Sequence, residues 1–362
     1  MQTTARNIQY MYAGTPTTQN GTFMMTTISI RSAFEGMGSA ADGYRSASFE
    51  RFCDALDLFR TRVQAQYEGV RYPAGTSMHG AVFNVANGDV DQYGSDVMIP
   101  AFLNTYTAMG GSSLNIFPTL ARLLPNWNLR YSGLGKLPWF REHFKSVNIN
   151  HGYKSIYAVG AYASYNTFVE YMDGLGFISD VTTGNPLPRS MFNVANVSIN
   201  EAVSPLLGVD VTFNNNLTAK GEYRSTRVLN LSMTSVQINE AVSRDWVAGM
   251  SYRINNFKFF GLTASRAKKS KNKRSDANNN ASENNSRGNT NHDLNMRLDL
   301  SYRQQASISR DIASRTSTAS SGNKAFKMSF SADYSLSRLL TMSFYYDRQT
   351  NTPLLSSNSY PT

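Results

Sequence analysis

Few residues in this 362-residue sequence have the types and spacing that catalysis or metal binding needs. The four histidines, His79, His143, His151 and His292, show no HExxH spacing, and none has a second ligand nearby in the sequence. The single cysteine, Cys53, excludes a disulfide framework and a zinc site built from thiolates. We therefore predict that the chain is not an enzyme and holds no metal ion or other cofactor.

Two short segments resemble ligand-binding loops, but each lacks a required part. The run Asp89–Gly94 (DVDQYG) resembles the opening of a calcium loop, yet Pro100 occupies the twelfth position, where such loops need a bidentate glutamate. Residues 133–136 (GLGK) are too few for a phosphate-binding loop, and no parallel-sheet pattern surrounds them. An outer-membrane enzyme such as a barrel phospholipase would need Ser, His and acidic side chains on one face, and the separated histidines disfavour it.

The chain is basic, with a formal net charge of +10 and a pI of about 9.6, which raises nucleic acid as a partner. Much of the local excess lies between Arg266 and Arg274. It opens a low-complexity run, 268–293, that has no aromatic residue for base stacking. We therefore predict a solvated extracellular loop over residues 257–292 and no nucleic-acid partner. Anionic lipid head groups are the more natural neighbours of such a loop.

Most of the sequence after residue 127 alternates between apolar and polar residues. The clearest case is Leu206–Arg224, in which two alternating stretches are joined by an Asn-rich turn, and this pattern predicts a β-hairpin. Further alternating stretches are found at 127–132, 147–154, 156–165, 192–200, 229–233, 246–254, 294–303, 306–313, 326–334 and 340–347. Because side chains alternate across a strand, each stretch predicts one apolar and one polar face.

These two faces predict two environments, lipid and a hydrated lumen. The predicted lipid-facing residues are Leu207, Val209, Val211, Phe213, Trp246, Met250, Tyr252, Leu298, Leu300, Phe330, Met342 and Phe344. The predicted lumen-facing residues are Asp210, Lys220, Glu222, Arg224, Arg253, Arg297, Asp299, Arg303, Lys327, Asp333 and Asp347. Charges of both signs favour a broadly hydrophilic conduit over an ion-selective ring.

The fold class that these patterns favour is all-β, an antiparallel transmembrane β-barrel. The mean hydropathy of −0.37 and the lack of a run of about 18 apolar residues exclude membrane-spanning helices. The alternating stretches run for about nine to eleven residues, the length that crosses a bilayer at a tilt, and aromatic residues such as Trp246 and Tyr252 flank an apolar stripe. A soluble β-sandwich and a β-helix are the alternatives.

One segment departs from the strand pattern. Over residues 48–67, apolar residues recur every three to four positions, which predicts an amphipathic helix. We expect this insertion to pack against a barrel rim or inside the lumen, with Cys53 buried on its apolar face. Residues 1–22 are predicted to form a polar loop, followed by a weak strand at 23–31. A short helix is predicted near 97–106.

Several long segments resemble the C-terminal part of one protein family. They are LPNWNLRYSGL (124–134), FKSVNINHGYKSIYAVGAY (144–162), SPLLGVDVTFNNNLTAKGEYR (204–224), AGMSYRINNFK (248–258) and FYYDRQTNTPLLSSNSYPT (344–362). In this order they resemble the SprA/Sov family, the outer-membrane translocon of the Bacteroidetes type IX secretion system. The resemblance spans most of the chain after about residue 20, but not the basic low-complexity run.

The resemblance implies that residues 1–362 form part of a much larger single-chain barrel that exports folded client proteins, and the family is also linked to gliding motility. It implies a bacterial outer-membrane location, about a dozen strands of the barrel in this chain, and a signal peptide upstream. The implied partners are membrane lipid, a PorV-like outer-membrane barrel, a periplasmic plug protein and the C-terminal signal domains of secreted clients.

The predicted strand order also gives a topology. Counting strands back from the C-terminus places the turn at 335–338 in the periplasm and the basic loop 257–292 outside the cell, in keeping with short inner turns and long outer loops. The alternative function is a stand-alone outer-membrane porin or a TonB-type receptor barrel. A complete signal peptide and terminal strand at the ends of the gene would favour that alternative.

Overall fold

The computed structural model describes residues 3–9, 18–84, 89–108, 113–118, 125–172, 175–180, 182–255, 257, 293–336 and 340–354. Apart from Phe257, the predicted basic loop 257–292 lies outside the described residues. The chain is mostly antiparallel β-sheet with few helices.

In the described part of the chain the main sheet has eleven strands: nine follow the order β1-β2-β4-β9-β10-β11-β12-β13-β14, and β3 and β8 also pair with β4. The strands are β1 (Thr3–Gln9), β2 (Thr18–Thr26), β3 (Trp127–Tyr131), β4 (Phe144–Ser164), β8 (Phe192–Val194), β9 (Asn196–Phe213), β10 (Leu217–Ser232), β11 (Gln237–Ile254), β12 (Leu294–Asp311), β13 (Thr316–Ser335) and β14 (Thr341–Pro353). A separate small sheet contains β5 (Val169–Met172), β6 (Leu175–Ser179) and β7 (Pro186–Ser190). Within the described residues β1 and β14 lie at opposite edges and do not pair, so the main sheet is open.

Most strands of the main sheet that lie after residue 143 are longer than the predicted nine to eleven residues. From β9 to β13 they contain 16 to 20 residues, and β4 contains 21. The stretch predicted at 294–303 and most of the one predicted separately at 306–313 belong to the single strand β12. Polar residues 303–305 interrupt the apolar alternation there, but the backbone bonds of the ladder continue because they do not depend on side-chain type.

Merging those two stretches overturns the predicted topology. Ile254 at the end of β11 pairs with Leu294, and Leu294 pairs with Tyr334 at the end of β13. The basic loop and the turn that follows β13 therefore connect strands at the same end of the sheet. The prediction that they lie on opposite sides of a membrane is wrong, because it counted β12 as two strands.

A helical segment is inserted between two short strands that together pair along one edge of β4. β2 and β3 both pair with β4, with Thr26 opposite Ile156 and Trp127 opposite Tyr153, so they follow one another along the same edge. Ser155 holds both ends of the insertion. Its carbonyl accepts a bond from the Thr27 N–H (3.1 Å), and its N–H donates to Asn126 Oδ1 (2.8 Å). The chain between them therefore leaves and rejoins the sheet at mid-height.

The insertion carries α1 (Ile30–Ala33), α2 (Ala47–Tyr67) and α3 (Ser95–Tyr106), which we call the helical layer; α4 (Pro138–His143) connects β3 to β4. α2 and α3 confirm the helices predicted near 48–67 and 97–106, whereas the predicted loop 1–22 contains β1 and the start of β2. The Ser46 side chain caps the N-terminus of α2 by accepting a hydrogen bond from the Phe49 N–H.

The main core lies between the helical layer and one half of one sheet face. The apolar face of α2 is buried, and Cys53 is only 1% exposed on it. The sheet contributes Val197, Ile199, Leu229, Leu231 and Ile238, which are all buried and which all occupy the same face by register. We call this region the covered half. The rest of that face, from the level of Trp246 to the end near Ile254, is the bare half.

Candidate functional site: the two faces of the bare half

The face of the bare half that continues from the covered half carries exposed apolar side chains. The predicted lipid-facing residues all fall on it by direct cross-strand pairing, for example Met250 with Leu298 and Leu298 with Phe330. Together with Tyr223, Tyr302, Phe326 and Tyr334 they form what we call the apolar band. The band includes strongly exposed side chains, with Trp246 58% and Phe344 63% exposed. On β3, Leu129 and Tyr131 extend it to the far edge.

Aromatic residues lie at both margins of the apolar band. At the margin next to the covered half, Tyr223, Trp246, Tyr302 and Phe326 form one cross-strand row, and the rings of Tyr223 and Trp246 are 4.3 Å apart. The opposite margin carries Tyr334, eight residues further along its strand than Phe326. At ~3.3 Å per residue this gives about 26 Å along the strand, or about 20 Å for a strand tilted by ~40°. That height is close to the ~25 Å apolar belt of membrane barrels.

The opposite face of the bare half carries the predicted lumen-facing charges. Cross-strand pairs place them together there, as with Asp210 opposite Lys220, and Asp347 opposite Ser329, which in turn pairs with Asp299. We call this surface the charged face. Its assignment to a lumen, like that of the apolar band to lipid, stays a prediction.

Most charges of the charged face are paired with opposite charges. Arg297 contacts Asp299 (2.6 Å), Arg303 contacts Asp245 (2.8 Å), and Arg253 contacts Asp293 (2.6 Å). Glu222 contacts both Arg224 and Lys220. The Asp210 carboxylate accepts a bond from the Asn150 amide (2.9 Å). The surface is thus polar but locally neutralised, and such pairs contribute little to stability.

Asp245 and Asp293 were missed in the sequence because each lies just outside a predicted strand. The charge alternation beyond Trp246 could have found Asp245, which has the same parity as Val247 and Gly249.

The histidines and the segment that resembles a calcium loop make contacts of the kind that support structure. His151 Nδ1 lies 2.7 Å from the Leu206 carbonyl oxygen, and His143 Nδ1 lies 3.0 Å from that of Trp139. His292 lies outside the described residues. In the segment that resembles a calcium loop, Asp89 pairs with Arg60 and Asp91 with Arg189. Over the described part of the chain, no cluster of three or more His, Cys, Asp or Glu side chains has an arrangement that could hold a metal ion.

A buried charge network joins the covered half to the helical layer. Glu240 lies between two arginines, with Arg227 Nε 2.7 Å from one carboxylate oxygen and Arg310 Nη2 2.8 Å from the other, and all three side chains are at most 7% exposed. Arg227 also donates to the Ser32 carbonyl (2.6 Å), and Arg310 donates to the Tyr44 carbonyl (2.7 Å). The two arginines therefore bind the Glu240 carboxylate within the sheet and also attach the helical layer to the sheet.

The sequence contained a signal for this network that was not used. Glu240 has the same parity as the apolar residues Ile238 and Val242 on β11, and Arg310 follows Ile308 with the same parity on β12. A charge at an apolar position of a strand indicates a buried partner of opposite charge.

The helical layer lies on the same face as the apolar band. On every strand from β10 to β12, residues of the covered half and of the apolar band are an even number of positions apart, so they lie on the same face. The charged face is therefore on the other side of the sheet. Of the two positions expected for the helical insertion, the one inside a lumen lined by those charges is therefore wrong, and packing against a barrel rim stays a prediction. Burial raises the pKa of the Cys53 thiol in this layer to about 11, so the thiol is protonated at neutral pH.

Comparison with known proteins adds no family assignment. No protein-family model matches the chain, and no curated protein matches it. The described helices include none with the length and apolar character that a membrane span requires. The class that the structure defines is an open, antiparallel β-sheet protein with a helical layer over half of one face.

Proposed function

We propose that this chain is a segment of the wall of an outer-membrane protein-conducting channel of the SprA/Sov type, part of the type IX secretion system. In this proposal the apolar band contacts lipid and the charged face lines a hydrated passage for folded client proteins. The observation that carries the proposal is the bare half itself, where one face is apolar and exposed while the other is charged and ion-paired.

The size of the apolar band supports a lipid environment. Eight neighbouring strands, β3, β4 and β9 to β14, contribute to it. At ~4.8 Å between strands and about 26 Å along each strand, the band covers roughly 1,000 Å². The largest apolar patch on a typical soluble protein is about 300–600 Å². At ~25 cal/mol per Å², removing this band from water stabilises the protein by on the order of 25 kcal/mol.

The charged face suits passage of a folded protein. Its charges are of both signs and mostly paired, so they hold water without presenting a strong field that would retain a client of one charge. By family resemblance, the partners are a PorV-like outer-membrane barrel, a periplasmic plug protein and the C-terminal signal domains of clients. The channel does no chemistry of its own.

Spin labels on neighbouring residues test the two faces in the whole protein, isolated from its native outer membrane and reconstituted in phospholipid vesicles. Three adjacent pairs each place one position in the apolar face and a serine on the charged face: Met250 and Ser251, Leu300 and Ser301, Met328 and Ser329. Each residue is changed to Cys singly in a Cys53→Ala background. The collision rate of the label with oxygen reports lipid, and its collision rate with a water-soluble nickel chelate reports water.

We expect high oxygen and low nickel accessibility at Met250, Leu300 and Met328, and the reverse at the three serines. Low accessibility to both reagents at the three apolar positions would mean that protein, not lipid, covers the band, and this would overturn the proposal. High nickel accessibility on both faces would overturn it as well, because the sheet would then lie in water.

A further inference from the structure

The apolar band contains a groove beside its aromatic row. The groove has a volume of about 450 Å³. Its floor is formed by Gly221 and Ala248, which pair across β10 and β11, and its walls include Tyr223, Trp246 and Tyr302. A Cβ added at Gly221 would meet no atom within 4 Å, so the floor opens onto free space. Gly221 and Ala248 are small and have bulky side chains on either side, so they leave an apolar recess in the band.

A polar, basic row lies directly beyond the aromatic row. Arg244, Gln304 and Lys324 pair across β11, β12 and β13, two residues from Trp246, Tyr302 and Phe326 respectively. All three therefore point to the same side as the groove, about 7 Å further along the strands. Arg244 donates one bond to the Glu35 carbonyl, and the Glu35 carboxylate accepts from the Ser48 N–H (2.8 Å). In the described part of the chain Lys324 has no ion-pair partner.

We propose that this groove and basic row form a binding site for one anionic phospholipid. An acyl chain lies over Gly221 and Ala248, and the phosphate is held by Lys324, Arg244 and the Gln304 amide. The proposal rests on the membrane placement of the apolar band and adds a defined ligand to it. The site lies where the bare half meets the covered half, the level at which a lipid head group must be accommodated beside protein.

The chemistry of the two parts is complementary to a phospholipid. Ammonium and guanidinium groups form charge-assisted hydrogen bonds with phosphate, and an amide adds a neutral donor. Aromatic rings such as Trp246 and Tyr302 favour the boundary between acyl chains and head groups. Lys324 is exposed, so it can turn towards a ligand without leaving a protein partner unpaired.

The test measures binding of dioleoyl phosphatidylglycerol to the delipidated whole protein in detergent by native mass spectrometry. Lys324→Gln removes the charge in the proposed site. Lys327→Gln is the matched control, because both lysines are exposed on β13 but Lys327 belongs to the charged face. Ala248→Leu fills the groove, and Ala241→Leu is its control, on the same strand but on the opposite face. Dioleoylglycerol, which lacks the phosphate, separates the head group from the chains.

We expect one tightly bound phosphatidylglycerol, with affinity reduced roughly tenfold by Lys324→Gln and unchanged by Lys327→Gln. Ala248→Leu should weaken both lipids, whereas Lys324→Gln should leave dioleoylglycerol binding unchanged. Equal changes in phosphatidylglycerol affinity for the two lysine variants, or for the two alanine variants, would overturn the proposal of a binding site. If the spin labels still report lipid at Met250, Leu300 and Met328, the specific site fails alone. If they do not, the wall assignment fails with it.

Discussion

The covered half and the bare half of one sheet face present similar apolar residues to different surroundings. In the covered half, Leu229 and Leu231 of β10 are fully buried under the helical layer. In the bare half, Trp246 and Met250 of the neighbouring strand are about half exposed. Strands β10 to β12 run through both halves without a change of face. The difference shows that the protein supplies its own covering for one half and leaves the other to its environment.

The two halves also treat charge differently. On the shared face, the covered half contains Glu240 between two buried arginines, whereas most charges of the bare half lie on the opposite face. Arg348 of β14, which pairs with Met328, is an exposed charge on the apolar face. A buried pair must be complete, because one unpaired charge in a protein interior is strongly destabilising. Exposed pairs have no such constraint. The covered half is therefore predicted to respond like a soluble core, and the bare half like a membrane surface.

The largest effect is expected from breaking the buried network. Glu240→Gln leaves two buried arginines without their carboxylate, which should destabilise the helical layer by about 3–5 kcal/mol. Hydrogen exchange of residues 47–67 in the whole protein measures this as local opening. Asp299→Asn, on the charged face, is the control and should change the free energy by less than about 1 kcal/mol. Equal exchange in the two variants would contradict the role of the network.

Shortening a leucine on β10 compares the halves on one strand. Leu231→Ala opens a cavity under the helical layer and should destabilise it by about 2–5 kcal/mol. Leu217→Ala, near the far end of the same strand, should have a smaller effect because mobile lipid can fill the space that is left. Hydrogen exchange of the helical layer and of β10 reports both variants. A larger loss for Leu217→Ala would show that protein covers the bare half.

A charge introduced into the apolar band tests lipid contact. Leu298→Arg should destabilise a membrane-inserted sheet by about 2–4 kcal/mol, because the guanidinium is placed near the bilayer midplane. Ser329→Arg, on the charged face of the adjacent strand, is the control and should be tolerated. The yield of folded protein in the outer-membrane fraction measures the effect. Equal yields for the two variants would argue against a lipid-facing band.

The smallest effect concerns Cys53 and appears only at alkaline pH. Burial raises the thiol pKa from 9.0 to about 11, so the folded state binds the proton more tightly than the unfolded state does. The contribution to stability is therefore complete below about pH 9 and is lost as the pH rises towards 11. Cys53→Ala should reduce the pH dependence of helical-layer stability in that window. At pH 7 the wild-type thiol should react with iodoacetamide only after unfolding.

Local features of this fold were predictable, and features that depend on distant segments were not. Period-two alternation places Met250, Leu298 and Phe330 on one face because side-chain direction along a strand is a local property. The length of β12 was missed because Arg303 and its polar neighbours interrupt the apolar pattern while the backbone ladder continues. The helix near 48–67 was evident from its spacing, but its position over the sheet was not.

The buried network shows why the rest could not be read from the sequence. Arg310 bonds to the carbonyl of Tyr44, a residue 266 positions away, and no local pattern specifies that pairing. In the bare half, the alternation identified both sets of residues but not the cross-strand rows, because register depends on the turns and bulges between strands. The groove over Gly221 and Ala248 is a consequence of that register.

Photo-cross-linking at two adjacent aromatic residues of β14 tests the central claim most directly. Phe344 belongs to the apolar band and Tyr345 to the opposite face, and both are largely exposed, at 63% and 76%. Benzoylphenylalanine replaces each residue in turn in the whole protein, and native outer membranes are irradiated. We predict phospholipid adducts at position 344 and none at position 345. Adducts only to protein at position 344, or lipid adducts at both positions, would contradict a wall with one lipid face and one hydrated face.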